Sequence, residues 1–161
     1  MEKLLQLARA EAGVGFSRDP VEIGGLAGFL IAEARRQYPA ADLRMECGAD
    51  ALIVEGDGDM IGIVLQNLLD NAVRHGMAGK PILLRVGPGR ELSISNAARV
   101  PAPEKLARLG ERFARAESGA DGSGLGLSIA RSIMEQMGGR LEIHSPARGR
   151  KSGFEVVLRF A

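Results

Sequence analysis

"LQNLLDNAVRHG", residues 65–76, and "DGSGLGLS", residues 121–128, decide the reading of this chain. The first sets Asn67 and Asn71 four residues apart in an apolar helical pattern. Positions i, i+4 and i+7 share one helix face, so Asn67, Asn71 and Arg74 lie together, with His75 beside them. A buried amide without a partner costs about 1–3 kcal/mol. On the pair alone two readings stay open. The amides bond to loop backbone, as buried polar groups generally do, or they face a cleft. In a cleft an amide oxygen suits Mg2+, a hard cation that keeps several waters and takes few protein ligands. Arg74 would then meet phosphate oxygens.

The second stretch extends to "GADGSGLGLSIA", residues 119–130, with Gly119, Gly122, Gly124 and Gly126 ahead of an amphipathic helix. Such spacing lets backbone N–H groups converge on an anion, with the positive helix end behind them. No strand leads directly into the loop, so the Rossmann fingerprint fails, and no Gly-Lys-Ser/Thr follows, so a P-loop fails too.

Bulk properties bound the answer. The 161 residues suffice for one domain with a real core. Twenty-one basic residues against 20 acidic ones, with no basic run, argue against a charge-driven nucleic-acid or membrane-surface role. A single cysteine, Cys47, excludes an internal disulfide framework, fits a reducing compartment and reads as a small core residue. The longest apolar stretch, near Leu26–Ala34, is broken by Gly28 and Glu33 and is too short to cross a bilayer. No signal-peptide pattern opens the chain.

Along the chain, "MEKLLQLARAEAG" carries a helical stripe (Leu4, Leu5, Leu7, Ala8) stopped by Gly13, and reads as the tail of a helix begun elsewhere. A second helix is expected from Asp19 as cap and Pro20 in the first turn, with Val21, Ile23, Leu26, Leu30 and Ile31 inward. "DLRMEC" and "ALIVEG" read as short strands, "ILLRVG" and "ELSIS" as a hairpin around "PGR". A short helix is expected near Pro103–Leu109, another over "LGLSIARSIMEQMGG", and paired strands over "RLEIHS" and "GFEVVLRF". The sum is about five strands and three main helices in one layered domain.

"NLLDNAVRHG", "ERFARA", "GSGLGLSIA", "MGGRLEI" and "GFEVVL", in that order, resemble the boxes of the histidine-kinase catalytic (ATP-binding) domain, related to gyrase and MutL. The resemblance covers roughly Val21 to the end. It implies the Bergerat fold, an α+β two-layer sandwich whose mixed, mostly antiparallel sheet packs on helices. It also implies a division into 1–14, the remnant of a dimerisation or phosphoacceptor helix suggested by "LLQLARAE", and 15–161, the catalytic domain.

By that resemblance Asn71 matches the Mg2+-coordinating asparagine, Asn67 its companion, and Arg74 a basic phosphate contact. His75 stands where a ribose- or phosphate-side residue is common. Arg112 and Arg115 match lid residues that approach the terminal phosphate, making them, with Asn67 and Asn71, the expected catalytic set. Gly122, Ser123, Gly124 and Gly126 match the phosphate cradle, with Leu125 and Leu127 packed beneath. Two departures stand out. The family's Asp-x-Gly-x-Gly adenine loop is replaced by "NAARVPAP", with Asn96 for the aspartate, Ala98 for the first glycine and no second glycine. In "LGERF", Gly110 stands where Phe is common, although Phe113 is kept.

Hydrolysing relatives carry a glutamate on the helix where this chain has Asn67, which cannot accept a proton. The expected reaction is therefore transfer of the γ-phosphate of Mg-ATP to a protein histidine. His75 and His144, the chain's two histidines, stand in no phosphoacceptor motif. The expected partners are thus a histidine-bearing dimerisation domain of the same kinase and a response-regulator receiver domain, with no nucleic acid. The resemblance also implies the cytoplasmic part of a homodimeric inner-membrane sensor kinase. The alternatives are a degenerate nucleotide-binding regulatory module and an anti-sigma-type serine kinase, the latter disfavoured by the opening helix.

Overall fold

The computed structural model describes residues 2–12, 15–109 and 125–161. A five-stranded sheet in the order β2-β4-β5-β7-β6 carries helices on one face. Its strands are β2 (Leu43–Cys47), β4 (Ile82–Gly87), β5 (Glu91–Asn96), β6 (Arg140–His144) and β7 (Phe154–Arg159). β2 runs parallel to β4, and every other pair is antiparallel. This is the expected mixed, mostly antiparallel sheet of an α+β sandwich. Strand alternation explains the layering. Leu84, Val86, Leu92, Ile94, Val156 and Leu158 enter the core, while Ser93, Ser95 and Glu155 take the opposite face. That outer face is laced by ion pairs of Glu91, Glu142 and Glu155 with Arg148 and Arg159. Arg159, with His144 and Arg140 adding, holds the Glu142 carboxyl down at about 2.

The helices are α1 (Glu2–Ala12), α2 (Ile23–Gln37), α3 (Gly58–His75), α4 (Pro103–Arg108) and α5 (Gly126–Gln136). α3 is the central one. Ile61, Val64, Leu65, Leu68, Leu69 and Ala72 are all within 2% of complete burial. α2 and α5 pack along it, and α1 packs on α5 through the fully buried Ala10. Asp57 starts α3: Oδ1 accepts from the N–H groups of Asp59 (3.0 Å) and Met60 (3.1 Å). Its Oδ2 accepts from the Ser17 N–H at 3.0 Å, tying the entry segment to the same carboxylate.

Three expectations are corrected. Asp19 and Pro20 do not start a helix; they open β1 (Asp19–Glu22), paired antiparallel with β3 (Ile53–Gly56) in a separate ribbon. Proline is tolerated there because an edge strand needs no inward N–H. The helix starts instead where the Glu22 carboxylate accepts from the N–H groups of Gly24 and Gly25. Cys47 is exposed at the end of the edge strand β2, with its Sγ beside Gly24 in the first turn of α2. In α2 the buried contacts are Ile23, Ala27, Ile31 and Ala34; the bulkier Leu26 and Leu30 flank them half-buried. Replacing the cap, Asp57→Ala, is expected to cost about 1–2 kcal/mol, a fall of roughly 2–8 °C in melting temperature by circular dichroism. An unchanged Tm would contradict the capping role.

Candidate functional site

α3 carries the asparagine face. Asn67 is 4% exposed, and its Nδ2 donates to the Ile63 carbonyl one turn back at 3.0 Å. That commits one of the amide's two N–H donors to its own helix, with Oδ1 as the acceptor. The back-bond is how a helix tolerates this residue in its interior. Asn71 is half-buried one turn on. Arg74 and His75 are exposed at the C-terminal end of the helix, where positive charge complements the dipole. Partial desolvation, and then the charge of Arg74, push the His75 imidazole below its ordinary pKa. The ring is therefore neutral at pH 7, a hydrogen-bonding group and no phosphate cation.

Asn96 comes to this end of α3 from the sheet. It closes β5, is 2% exposed, and lies opposite Ile82 on one side and Phe154 on the other. A Cβ on Gly76 would sit 3.3 Å from Asn96 Nδ2 and 2.6 Å from the Ala72 carbonyl, so only glycine lets helix and strand end meet here. The Met77 N–H donates to the Ala97 carbonyl at 2.9 Å, closing the joint. Ala98 is half-buried, and its carbonyl accepts from the Gly153 N–H at 2.9 Å. The loop after β5 is thus held by main chain on both sides.

The start of α5 is the third component. Leu125 is 1% exposed and Leu127 8%, both in the core beside α3. Gly126 is the first helical residue. Leu125 stands at the N-cap with no side-chain acceptor to offer, so among the described residues no side-chain cap bond covers the first N–H groups. A helix N-terminus of this kind favours an anion. Arg112, Arg115, Gly122, Ser123 and Gly124 lie outside the described residues.

Among the described residues no three His, Cys, Asp or Glu side chains converge to hold a metal. A magnesium ion at the asparagine face would therefore use the Asn71 amide oxygen together with phosphate and water oxygens, a donor set that suits this cation. Tyr38 and Asp70, absent from the sequence reading, also belong to this region. The Tyr38 phenol donates to Asp70 Oδ1 at 2.9 Å, and burial and that bond raise its pKa. The acid–base pair Asp70 and Arg74, spaced i, i+4 on α3, was the available signal.

Residues 56–161 match the family described as histidine kinase-, DNA gyrase B-, and HSP90-like ATPase. Over 125 residues the chain is 34% identical to sensor protein QseC of Salmonella typhi, covering 77% of this chain and 27% of QseC. Sensor protein CutS of Streptomyces coelicolor is 31% identical over 165 residues, 98% of this chain and 39% of CutS. Among solved structures, full-length ShkA in complex with AMPPNP aligns with a TM-score of 0.75 and 25% identity, over 99% of this chain and 35% of that one. The chain spans between about a quarter and two fifths of the length of these relatives.

Asn71 is half-buried and makes no part of the apolar core. Asn71→Ala is therefore expected to leave thermal stability within about 0.5 kcal/mol, as for surface changes. Magnesium-dependent nucleotide binding, followed by calorimetry, is expected to disappear. Binding at wild-type strength would put the site elsewhere.

Proposed function

The chain belongs to the histidine kinase-, DNA gyrase B- and HSP90-like ATPase family, and from that premise we propose that it is the ATP-binding catalytic domain of a two-component sensor histidine kinase. It takes Mg-ATP and transfers the γ-phosphate to a histidine on a dimerisation domain. A response-regulator receiver domain is the next acceptor. The observation that carries this reading is Asn67. It sits buried on the central helix with one N–H bonded to Ile63, and a carboxamide can accept a hydrogen bond but cannot serve as a base toward water. That supports transfer to a protein over hydrolysis. The curated relatives compared above are sensor proteins, and ShkA was crystallised with an ATP analogue, which supports the same reading.

Phosphoryl transfer needs positioning and charge neutralisation more than covalent chemistry. Asn96, fixed between α3 and β7, reads the adenine edge. The uncapped start of α5 and Gly126 face the phosphates, joined by Gly122, Ser123 and Gly124. Arg74 neutralises phosphate charge from α3; Arg112 and Arg115 do so from the loop side. Asn71 would hold a magnesium ion through its amide oxygen, and the ion would supply neutralisation of phosphate charge. Helix α1 is the end of a dimerisation helix and residues 15–161 the catalytic domain. Among the described residues no helix is long and apolar enough to cross a membrane.

Asn96 sets the specificity. An aspartate at this place would accept a hydrogen bond with charge, at about 1.5–3 kcal/mol, against about 1 for the neutral amide. The amide can also turn and donate. Asn96→Asp is therefore expected to tighten ATP binding and to raise the preference for ATP over GTP in a competition assay. Equal affinity and equal selectivity would refute the assignment.

The same altered loop favours one other reading, a regulatory module that binds nucleotide without transferring phosphate. Mixing this chain with Mg-ATP and a separately supplied dimerisation domain separates the two. Acid-labile phosphohistidine on the acceptor is expected. Its absence, with nucleotide binding intact, would favour the regulatory module.

A further inference from the structure

The connection from β6 to β7, residues 145–153, is tied to the outer face of the sheet by one arginine. The Glu155 carboxylate on β7 takes three bonds from Arg148. Its Oε1 accepts from the Arg148 main-chain N–H at 3.1 Å and from Nε at 3.0 Å, and its Oε2 accepts from Nη2 at 3.1 Å. Nη2 also donates to Glu91 Oε1 at 2.6 Å, so one guanidinium spans β7 and β5. A two-pronged fork of this kind fixes geometry as well as charge. Glu155 is buried, and so is Ala147, whose N–H donates to the Ser152 carbonyl at 3.2 Å. The connection is a seated strap.

Its last residue meets the end of β5. The β5–β7 ladder pairs Asn96 with Phe154, and one bond beyond it the Gly153 N–H donates to the Ala98 carbonyl at 2.9 Å. Ser145 Oγ holds the other side of the same residue, donating to the Gly153 carbonyl at 2.6 Å. Gly153 has φ +95, which side-chain-bearing residues rarely adopt. A Cβ there would stand 3.1 Å from the Asn96 carbonyl oxygen and 3.4 Å from the Ala147 Cβ. Residues 97–103, AARVPAP, contain no glycine, so the glycine at this corner comes from the neighbouring strand. The hydrogen bond that the Asn96 amide makes among the described residues is a long one, 3.5 Å from Nδ2 to the Ala97 carbonyl. The aim of that amide is therefore set by the main chain of residues 96–98. Met77 fastens this main chain on one side and Gly153 on the other.

We propose that Arg148 and Glu155 are positioning residues for adenine recognition: from the outer face of the sheet they hold Gly153 against Ala98 and so aim the Asn96 amide at the 6-amino group of the base. The inference rests on the adenine reading of Asn96 given above. Both residues act through the strap and touch no part of the nucleotide. An ion pair that only stabilised the sheet would affect every ligand alike. A pair that works through Asn96 affects the contact with one amino group.

The test uses two ligands that differ by that group alone: ATP, and purine riboside triphosphate, which is ATP without the 6-amino group. Affinities with magnesium are measured by calorimetry. The proteins are wild type, Arg148→Ala, Glu155→Gln, Asn96→Ala and the Arg148→Ala/Asn96→Ala double variant, each checked for folding by circular dichroism. Wild type is expected to prefer ATP about 3- to 10-fold, the contribution of one hydrogen bond. Arg148→Ala is expected to lose most of that preference through weaker ATP binding, with purine riboside triphosphate bound as before. Glu155→Gln keeps the side chain's shape, is expected to change in the same direction, and decides the case should Arg148→Ala fail to fold. The double variant is expected to match Asn96→Ala alone, since the arginine acts only through the asparagine. If Asn96→Ala leaves the preference intact, or wild type has none, the adenine reading of Asn96 fails and this inference with it. If Asn96→Ala removes the preference while Arg148→Ala keeps it, that reading stands and the positioning role is overturned. Equal weakening of both ligands, or a further loss in the double variant, would reduce the pair to a brace and overturn it as well.

Discussion

The joint between the end of α3 and the end of β5 is the constraint on which the site depends. Gly76 leaves no side chain, Asn96 fills the space, and the Met77–Ala97 main-chain bond fastens the two elements. A helix and a strand that meet without intervening bulk keep their side chains in fixed relation. That fixes the distance from the asparagine face to the Asn96 amide. The joint is affordable only because the other side of α3 is buried among Ile61, Leu65, Leu68 and Leu69, which holds the helix axis in place.

Around that joint each component supplies a different kind of charge. The end of α3 brings the exposed cation of Arg74, the start of α5 brings N–H groups with no side-chain cap from Leu125, and Asn67 and Asn71 bring neutral oxygen. This combination suits a polyanion carrying its own metal. The ionised carboxylates of Glu91, Glu142 and Glu155 are gathered on the opposite face of the sheet, each paired with arginine.

Most of the sheet and the central helix were legible because their patterns are strong. The stripe Ile61 to Ala72 has helical period, and Leu92 and Ile94 alternate with Ser93 and Ser95 as a one-sided strand does. The β1–β3 ribbon was not legible. Asp-Pro is a familiar helix opening, and only pairing with Ile53–Gly56, in the register Asp19 to Val21 with Gly56 to Val54, makes those residues a strand. Glu22 was missed as a cap because glutamate seldom serves as one; the glycine pair that follows lets its longer side chain fold back. The asparagine face and Asn96 were readable from spacing and from resemblance. Tyr38 was not, since its partner Asp70 is 32 residues distant and nothing local marks the contact.

The central claim is that the carboxamides of Asn67, Asn71 and Asn96 line one nucleotide site at the end of α3. Nitrogen-edited NMR resolves side-chain amide groups individually, so adding Mg-ADP to labelled protein tests it directly. The account expects the Asn71 and Asn96 amide signals to shift with a common saturation curve, Asn67 with them, while the outer face around Glu142 and Arg159 stays still. Shifts centred on the outer face, with the three asparagines unmoved at saturation, would contradict it.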